Sequence, residues 1–252
     1  MKILLLIALG LSCSFVLYAQ LTAPPIQWQA SLGGNGGDYG GDVQSTSDGG
    51  YVVAGTLDLP FITGHEIHAQ GELFVTKFTV DGLIQWQKSY GGTYPDNAYS
   101  IEQTSDGGYI VVGNSYSNNG DVTDHHDILD SWVVKLNSSG NIIWKKSLGG
   151  GSDFGGYIQQ TNDGGYIVAG SSRSNMGDVA GNHGFTDYWI VRLNFKGDIQ
   201  WHKFLGGSND EFPQLIQQTS DGGYIVAGTS FSNNGDVTGN HGSYDFWIVK
   251  LK

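Results

Sequence analysis

The sequence predicts an all-β protein built from four copies of one structural repeat, and three observations support this prediction. The motif "DGGY" recurs, and its aspartates are spaced 58, 57 and 58 residues apart. Each period contains four short segments rich in Val, Ile, Tyr and Trp, as β-strands are. The chain has 40 glycines and 5 prolines among 252 residues, which suits many tight turns. A constant period of this size indicates a repeat architecture. The aspartates of the motif are Asp48, Asp106, Asp163 and Asp221.

The four segments of each period predict strands that we label A to D in chain order. Strand A ends in a segment such as "YIQQT", strand B is "GYIVAG", strand C is "YWIVRL" and strand D is "GDIQWHKFLGG". The A–B connection is "DGG", where glycine supplies the positive φ that a tight hairpin requires. Four antiparallel strands repeated four times predict a four-bladed β-propeller. The predicted repeats are residues 39–92, 97–150, 154–207 and 212–252, the last completed by 26–34.

The two ends of the repeat region support the count of four blades. The segment "IQWQASLGG" at 26–34 resembles a D strand, whereas the chain stops at "FWIVKLK", which resembles a C strand. We therefore expect the N-terminal strand to complete the last blade and close the ring. The aromatic residues follow the same register, which predicts that they pack between blades. Trp28, Trp86, Trp144 and Trp201 fall on D strands, and Phe74, Trp132, Trp189 and Trp247 fall on C strands.

The first nineteen residues, "MKILLLIALGLSCSFVLYA", resemble a secretory signal peptide cleaved after Ala19. Lipoprotein processing at Cys13 is the alternative, but Leu11 lies two rather than three places before the cysteine. Residues 20–252 would then form one propeller that is secreted or periplasmic. No second apolar stretch is long enough to span a bilayer, so we expect no transmembrane segment in the mature chain.

Composition excludes several classes of function. Cys13 is the chain's one cysteine, so the mature protein would contain neither a disulfide nor a cysteine nucleophile. With 24 acidic and 12 basic residues the formal net charge is −12, which argues against binding to nucleic acid. The sequence contains no nucleophile elbow, zincin helix, phosphate-binding loop or dinucleotide fingerprint.

The segments "TSDGGYIVAG", "GNHG", "DFWIVKL" and "GDIQWHKFLGG" resemble the DGGY-type β-propeller repeats of secreted and surface proteins from bacteria of the Bacteroidetes kind. The resemblance covers residues 26–252. It implies export, and some similar proteins carry labels such as lipoprotein or endoglucanase. It is specific for the repeat rather than for a function.

The predicted topology places the D–A and B–C loops at one face of the propeller, and the short A–B and C–D turns at the other. The B–C loops, of the type "SNNGDVTGNHGSY", are long, so we expect binding at their face. One carboxylate near the start of each A strand could join a ring at the channel mouth that holds a hard cation such as calcium. The favoured alternative is that each carboxylate accepts backbone N–H groups of its own turn. These residues are Asp38, Asp96, Asp153 and Glu211.

A histidine lies six residues before each strand C aromatic, with an aspartate five residues upstream in three repeats and an acid four residues downstream in all four. A metal or acid–base site would use such groups, but a staple that closes each loop explains the fourfold repetition better. The histidines are His68, His126, His183 and His241. The seventh residue after the motif tyrosine varies instead, as Asp58, Tyr116, Arg173 and Phe231. Such variation fits either a recognition surface or drift at an exposed site.

The sequence thus predicts an exported, non-catalytic binding or scaffold propeller that recognises a protein or a glycan through its B–C and D–A loops. The alternative is a carbohydrate-active hydrolase, which the labels on similar proteins suggest. A glycoside hydrolase needs two carboxylates at a defined separation. Most acids here occur once per repeat, so no unique pair stands out.

Overall fold

The computed structural model describes residues 23–58, 71–126, 128–176 and 179–252, and this part of the chain forms fifteen strands and no helix. The strands form four antiparallel sheets, each from one sequence repeat. Sheet 1 contains β1 (Tyr39–Ser45), β2 (Tyr51–Leu57), β3 (Glu72–Phe78) and β4 (Ile84–Tyr90). Sheet 2 contains β5 (Asp96–Gln103), β6 (Tyr109–Ser115), β7 (Asp130–Leu136) and β8 (Ile142–Leu148). Sheet 3 contains β9 (Asp153–Gln160), β10 (Tyr166–Ser172), β11 (Asp187–Leu193) and β12 (Ile199–Leu205). Sheet 4 contains β13 (Glu211–Gln218), β14 (Tyr224–Ser230) and β15 (Asp245–Leu251).

The "DGG" turn has the same hydrogen bonds in every sheet, which explains its repetition in the sequence. In sheet 2, Asp106 accepts the Thr104 hydroxyl at 2.5 Å and the Gly108 N–H at 2.9 Å. Gly107 has a φ of +77°, a conformation that side chains with a Cβ rarely adopt. The ammonium of Lys135, from the third strand, lies 2.9 Å from Asp106 Oδ2. One aspartate therefore ties the hairpin turn to strand C of its own sheet.

Alternation along the strands gives each sheet two apolar faces. In sheet 3, Tyr166 and Val168 pack against sheet 2, whereas Ile167 and Ala169 pack against sheet 4. Because successive side chains of a strand point to opposite faces, "YIVA" supplies both interfaces. The buried cores lie between neighbouring sheets, and the D-strand tryptophans bridge them. Trp86 packs on Tyr109 and Trp144 on Tyr166, each with ring centroids 5.6 Å apart.

The first strands of the sheets lie side by side. β1 contacts β5, β5 contacts β9, and β9 contacts β13. The four sheets therefore follow one another in sequence order and meet along their A strands, which is consistent with propeller blades.

The predicted sixteenth strand at 26–34 does not form in this structure. Residues 23–38 contain no strand, sheet 4 has three strands, and no sheet closes on itself. Trp28 nevertheless lies where a D-strand tryptophan lies in the other sheets. Its Nε1 donates to the Val80 carbonyl oxygen at 3.2 Å, as Trp86 donates to that of Ser138 at 3.2 Å. The Trp28 side chain thus occupies the position that the repeat predicts, whereas the backbone of residues 26–34 does not pair as a strand.

Candidate functional site

The connections divide the molecule into two faces. We call the side with the D–A and B–C connections the loop face, and the side with the A–B and C–D turns the turn face. The turns of the turn face are short and repeat the same hydrogen bonds. The long connections and the sequence-predicted site residues lie at the loop face.

The four carboxylates at the A-strand starts bind donors of their own turns. Asp96 Oδ2 accepts the Gly92 N–H at 2.7 Å and the Ser117 hydroxyl at 2.9 Å. Glu211 Oε2 accepts the Gly207 N–H at 2.8 Å, and its Oε1 accepts the Ser230 hydroxyl at 2.7 Å. This is the turn-closing arrangement that aspartates commonly adopt. Asp38 and Asp153 bind in the same way, to the N–H groups of Gly34, Gly150 and Gly151.

The structure does not gather these carboxylates into a cation site. In the part of the chain that the structure describes, no three His, Cys, Asp or Glu side chains lie close enough to hold a metal ion together. All four residues, Asp38, Asp96, Asp153 and Glu211, belong to the described ranges. Calcium in proteins is surrounded by six to eight oxygen atoms, so carboxylates that already accept hydrogen bonds from protein donors are poor ligands.

The structure instead pairs carboxylates two by two at the junctions between sheets. Asp187 begins β11, and its Oδ1 lies beside Glu211 Oε2, both against Gly206. Asp187 is fully buried, and burial raises its pKa, with the nearby Glu211 charge adding to the shift. Within the described ranges, Asp187 Oδ1 is buried without a hydrogen-bond partner.

Two buried carboxylates also lie near each other at the junction of sheets 2 and 3. Asp130 and Asp153 are both fully buried. Burial raises the pKa of Asp153, and Asp130 contributes through its charge. Sequence analysis missed these pairs because each partner comes from a different repeat, and only the packing of neighbouring sheets brings them together.

His126, His183 and His241 each form a staple within the B–C loop of their sheet. His183 uses its backbone N–H and its Nδ1 to contact Asp187 Oδ2, at 2.7 and 2.8 Å. His241 contacts Asp245 in the same way, at 2.7 and 2.8 Å. His126 binds Asp130 with distances of 2.9 and 3.1 Å. His68 lies outside the described residues. Three copies of one contact fit a structural role better than catalysis, which requires a single site.

The upstream aspartates do not bind the histidines. Asp121 accepts a hydrogen bond from Gly91, the first residue after β4, and its own N–H donates to the Gly91 carbonyl oxygen at 2.7 Å. Asp236 and Gly206 make the equivalent pair, at 2.9 Å from N–H to carbonyl oxygen. These aspartates therefore fasten a B–C loop to the D–A loop of the preceding sheet. Asp178 lies outside the described residues.

The variable residues after strand B lie at the start of the neighbouring A strand. The N–H groups of Tyr116 and Phe231 both donate to carbonyl oxygens just before an A strand, at 3.0 Å. The Phe231 ring packs on Tyr244, with centroids 5.1 Å apart. Arg173 donates from Nε to the Thr186 hydroxyl at 2.7 Å. The three residues thus lie beside the starts of A strands on the loop face, each in a different chemical environment.

Exposed aromatic residues are concentrated on the loop face. Of the twelve exposed aromatic side chains in the described ranges, eight form a loop-face set, in D–A and B–C loops or within the first two residues of an A strand, and the other four are Tyr99, Phe195, Trp201 and Phe246. Three of the set, Tyr39, Phe154 and Phe212, occupy one repeat position directly after the A-strand carboxylate, whereas the others, of which the sequence singled out Tyr116 and Phe231, follow no motif. Large exposed aromatic side chains are enriched at binding surfaces. The set is Tyr39, Tyr94, Tyr116, Phe154, Phe185, Phe212, Phe231 and Tyr244.

No protein-family model matches this chain, and no curated protein is significantly similar to it. Within the described ranges, no helix is long and apolar enough to cross a bilayer. The case for a function therefore depends on the geometry of the two faces.

Proposed function

We propose that this protein is an exported binding or scaffold module that recognises a protein or a glycan through its loop face. The observation that carries the proposal is the concentration of exposed aromatic side chains there, on loops fastened by repeated hydrogen bonds. Aromatic residues bury a large area at a low cost in conformational entropy, so they dominate many recognition surfaces. Fixed loops reduce the ordering cost further.

The stapled histidines support a binding role over a catalytic one. The Nδ1 atoms of His126, His183 and His241 are each held by a carboxylate that begins strand C. The acids at the A-strand starts are likewise occupied by turn donors. A carboxylate on Nδ1 leaves Nε2 free to act as an acid or a base, so it is the repetition of the same contact in three loops that favours a structural role. These histidines and acids maintain the loop conformations. The variable residues Tyr116, Arg173 and Phe231 give each repeat a different side chain at one loop-face position, as an asymmetric recognition surface requires.

We also propose that the ring closes as a four-bladed propeller in solution, with residues 26–34 as the last strand. Sheet 4 has an outward apolar face without a partner sheet, where Phe246 and Ile248 are 69% and 54% exposed. Their counterparts in sheet 3, Tyr188 and Ile190, are fully buried. A large exposed apolar face of this kind is unfavourable in water.

Sheet 1 offers the complementary surface. An apolar hollow of about 100 Å³ beside β2 is lined by Leu32, Val53 and Phe74. Trp28 already packs on this side, with its ring centroid 5.6 Å from that of Tyr51. Pairing of residues 28–32 with β15 would cover the open edge strand and bring the two apolar faces together.

Site-specific photocrosslinking tests the binding proposal. A photoreactive residue that replaces Phe231 should form a defined crosslinked adduct with a protein in the envelope or medium fraction of the producing bacterium. If the ligand is a glycan, the protein should instead bind a glycan on an array. Tyr116→Ser should weaken that capture, whereas the same photoreactive residue at Val80, on the turn face, should capture nothing. Equal capture from both faces, or none from either together with no glycan binding, would refute the proposal.

The hydrolase alternative has its own signature. If the protein cleaves a polysaccharide and the activity disappears on replacing one loop-face acid, the protein is an enzyme and the binding proposal fails. Equal effects of matched substitutions at Asp96, Asp153 and Glu211 would identify those acids as structural. Export is tested separately by finding a product that begins at Gln20 in the periplasm or medium; retention of the uncleaved chain in the cytoplasm would contradict it.

A further inference from the structure

The turn face contains a groove between sheets 2 and 3 that the loop-face proposal does not use. Its volume is about 580 Å³, within the usual range for small-molecule sites. Trp144, Tyr166 and Phe195 form one wall, and Asp106, Gln160 and Lys196 supply polar groups at the rim. The groove thus combines an aromatic surface with a few converging polar groups.

Three lining residues distinguish this groove from its counterpart between sheets 1 and 2: Ile143 stands where sheet 1 has Gln85, and two residues differ in a C–D turn. The C–D turn of sheet 3 is "NFKG", whereas that of sheet 2 is "NSSG". Both turns have the same framework, since Asn194 Oδ1 accepts the Lys196 N–H at 2.8 Å and Asn137 Oδ1 accepts the Ser139 N–H at 3.0 Å. The turn conformation therefore requires neither Phe195 nor Lys196.

Phe195 and Lys196 face the solvent rather than the core. Phe195 is 63% exposed, and the Lys196 ammonium lies 5.6 Å from the centre of its ring. Lys196 forms no salt bridge within the described ranges, although the chain has twice as many acidic as basic residues. An exposed aromatic ring next to an unpaired cation suits a ligand that has both an apolar face and a negative charge.

The rim offers hydrogen-bonding groups with fixed orientation. Gln160 Oε1 accepts the Ser105 N–H at 2.8 Å, which directs the amide NH₂ away from that bond. Asp106 Oδ2 is paired with Lys135 at 2.9 Å, and the Asp106 side chain is 56% exposed. The Asp106 carboxylate is therefore neutralised by its partner, so Lys196 provides the uncompensated charge of the groove.

We propose that this groove binds an acidic oligosaccharide, with pyranose rings against the aromatic wall and a carboxylate at Lys196. The C–H face of a sugar ring fits an aromatic surface, and sugar hydroxyls match the Gln160 amide and the free lone pairs of Asp106. The site is independent of the loop face, which lies at the opposite side of the sheets.

Titration calorimetry with the full-length chain tests this proposal, using tetragalacturonate as the acidic probe and cellotetraose as the neutral one. We expect binding of tetragalacturonate, weakened at least about tenfold by Lys196→Ser and by Phe195→Ser, because a charge-assisted contact and an aromatic contact are lost. Each substitution introduces the residue that sheet 2 has at the same turn position, so the fold should be preserved. Val80→Ser, in the corresponding turn of sheet 1, is the matched control and should leave affinity unchanged.

Three results would overturn the proposal. The first is absence of tetragalacturonate binding by a folded wild-type protein. The second is binding that is unaffected by Lys196→Ser and Phe195→Ser. The third is equally tight binding of cellotetraose that does not respond to Lys196→Ser, which would exclude recognition of an acidic sugar. Phe231→Ser, on the loop face, should not change tetragalacturonate affinity, so the two proposals can fail separately.

Discussion

Replacing Trp28 by alanine tests whether the N-terminal segment is part of the folded structure. The Trp28 ring contacts Tyr51 and Phe78 at centroid distances of 5.6 and 5.7 Å, and its Nε1 hydrogen bonds to Val80 at 3.2 Å. Removing a fully buried Trp costs about 3–5 kcal/mol. Because Trp28 is half-buried, we expect a loss of about 2 kcal/mol, of which about 1 kcal/mol comes from the hydrogen bond.

Urea unfolding followed by far-UV circular dichroism measures this loss, and Trp86→Ala is the matched control. Trp86 is also half-buried and makes the equivalent contacts with Tyr109 and Ser138. The two substitutions should therefore lower the free energy of unfolding by similar amounts. A cost below about 0.5 kcal/mol for Trp28→Ala, beside a full cost for Trp86→Ala, would refute the reasoning, since surface substitutions usually fall within that limit.

Three further predictions concern the turns and the sheet junctions. Burial tends to raise the pKa of Asp106, but hydrogen bonds from Thr104 and Lys135 outweigh it and lower the pKa to about 2. The stabilising effect of Asp106 is therefore present above the unfolded-state pKa of about 4 and is lost as pH falls toward 2. Asp106→Asn should reduce this acid-induced loss in urea titrations between those pH values. Burial raises the pKa of Asp187. The stability that Asp187 contributes is therefore present at low pH and is lost as pH rises through its folded-state pKa, the reverse of Asp106. Asp187→Asn should therefore leave the free energy of unfolding at pH 7 unchanged or higher, because the NH₂ group of the new asparagine can donate to Glu211. Gly140→Ala should lower stability by more than about 1 kcal/mol, because φ is +74° and the new Cβ would lie 2.9 Å from the Trp86 ring.

Each of these predictions has a result that would contradict it. The acid prediction fails if wild type and Asp106→Asn lose stability equally between pH 4 and pH 2. The junction prediction fails if Asp187→Asn is strongly destabilised at pH 7. The turn prediction fails if Gly140→Ala costs no more than Gly40→Ala, where a Cβ would meet nothing within 4 Å.

Local sequence signals predicted most of the fold. The "DGG" turn requires glycine at a positive φ, and the alternation in "YIVAG" supplies two apolar faces, so the hairpins and the sheet boundaries follow from the chain itself. The register of Trp86 and Trp144 likewise predicted contacts with the following sheet. Pairing of residues 26–34 with β15 is different, because it depends on contacts between opposite ends of the chain. The structure positions Trp28 without forming that strand.

The candidate sites were less predictable. Sequence spacing identified the histidines. The upstream and downstream acids lie at similar distances along the chain, five and four residues away, so only the structure separates their roles. Asp121 binds Gly91 of the preceding sheet, whereas Asp130 binds His126. The turn-face groove was missed because long loops were expected to carry function. Its sequence signals are Phe195 and Lys196 in place of a pair of serines in an otherwise matching turn, and Ile143 in place of Gln85.

A designed disulfide tests the closed propeller most directly. Ile190 on β11 pairs with Lys203 on β12, and the equivalent residues of the last repeat are Ile248 and Ala30. Antiparallel neighbours have Cα distances that a disulfide can span. In a chain carrying Cys13→Ser, Ala30→Cys and Ile248→Cys, dilute oxidation followed by peptide mass spectrometry should find an intramolecular crosslink. Absence of that crosslink, or crosslinks only between two molecules, would contradict the closed four-bladed ring.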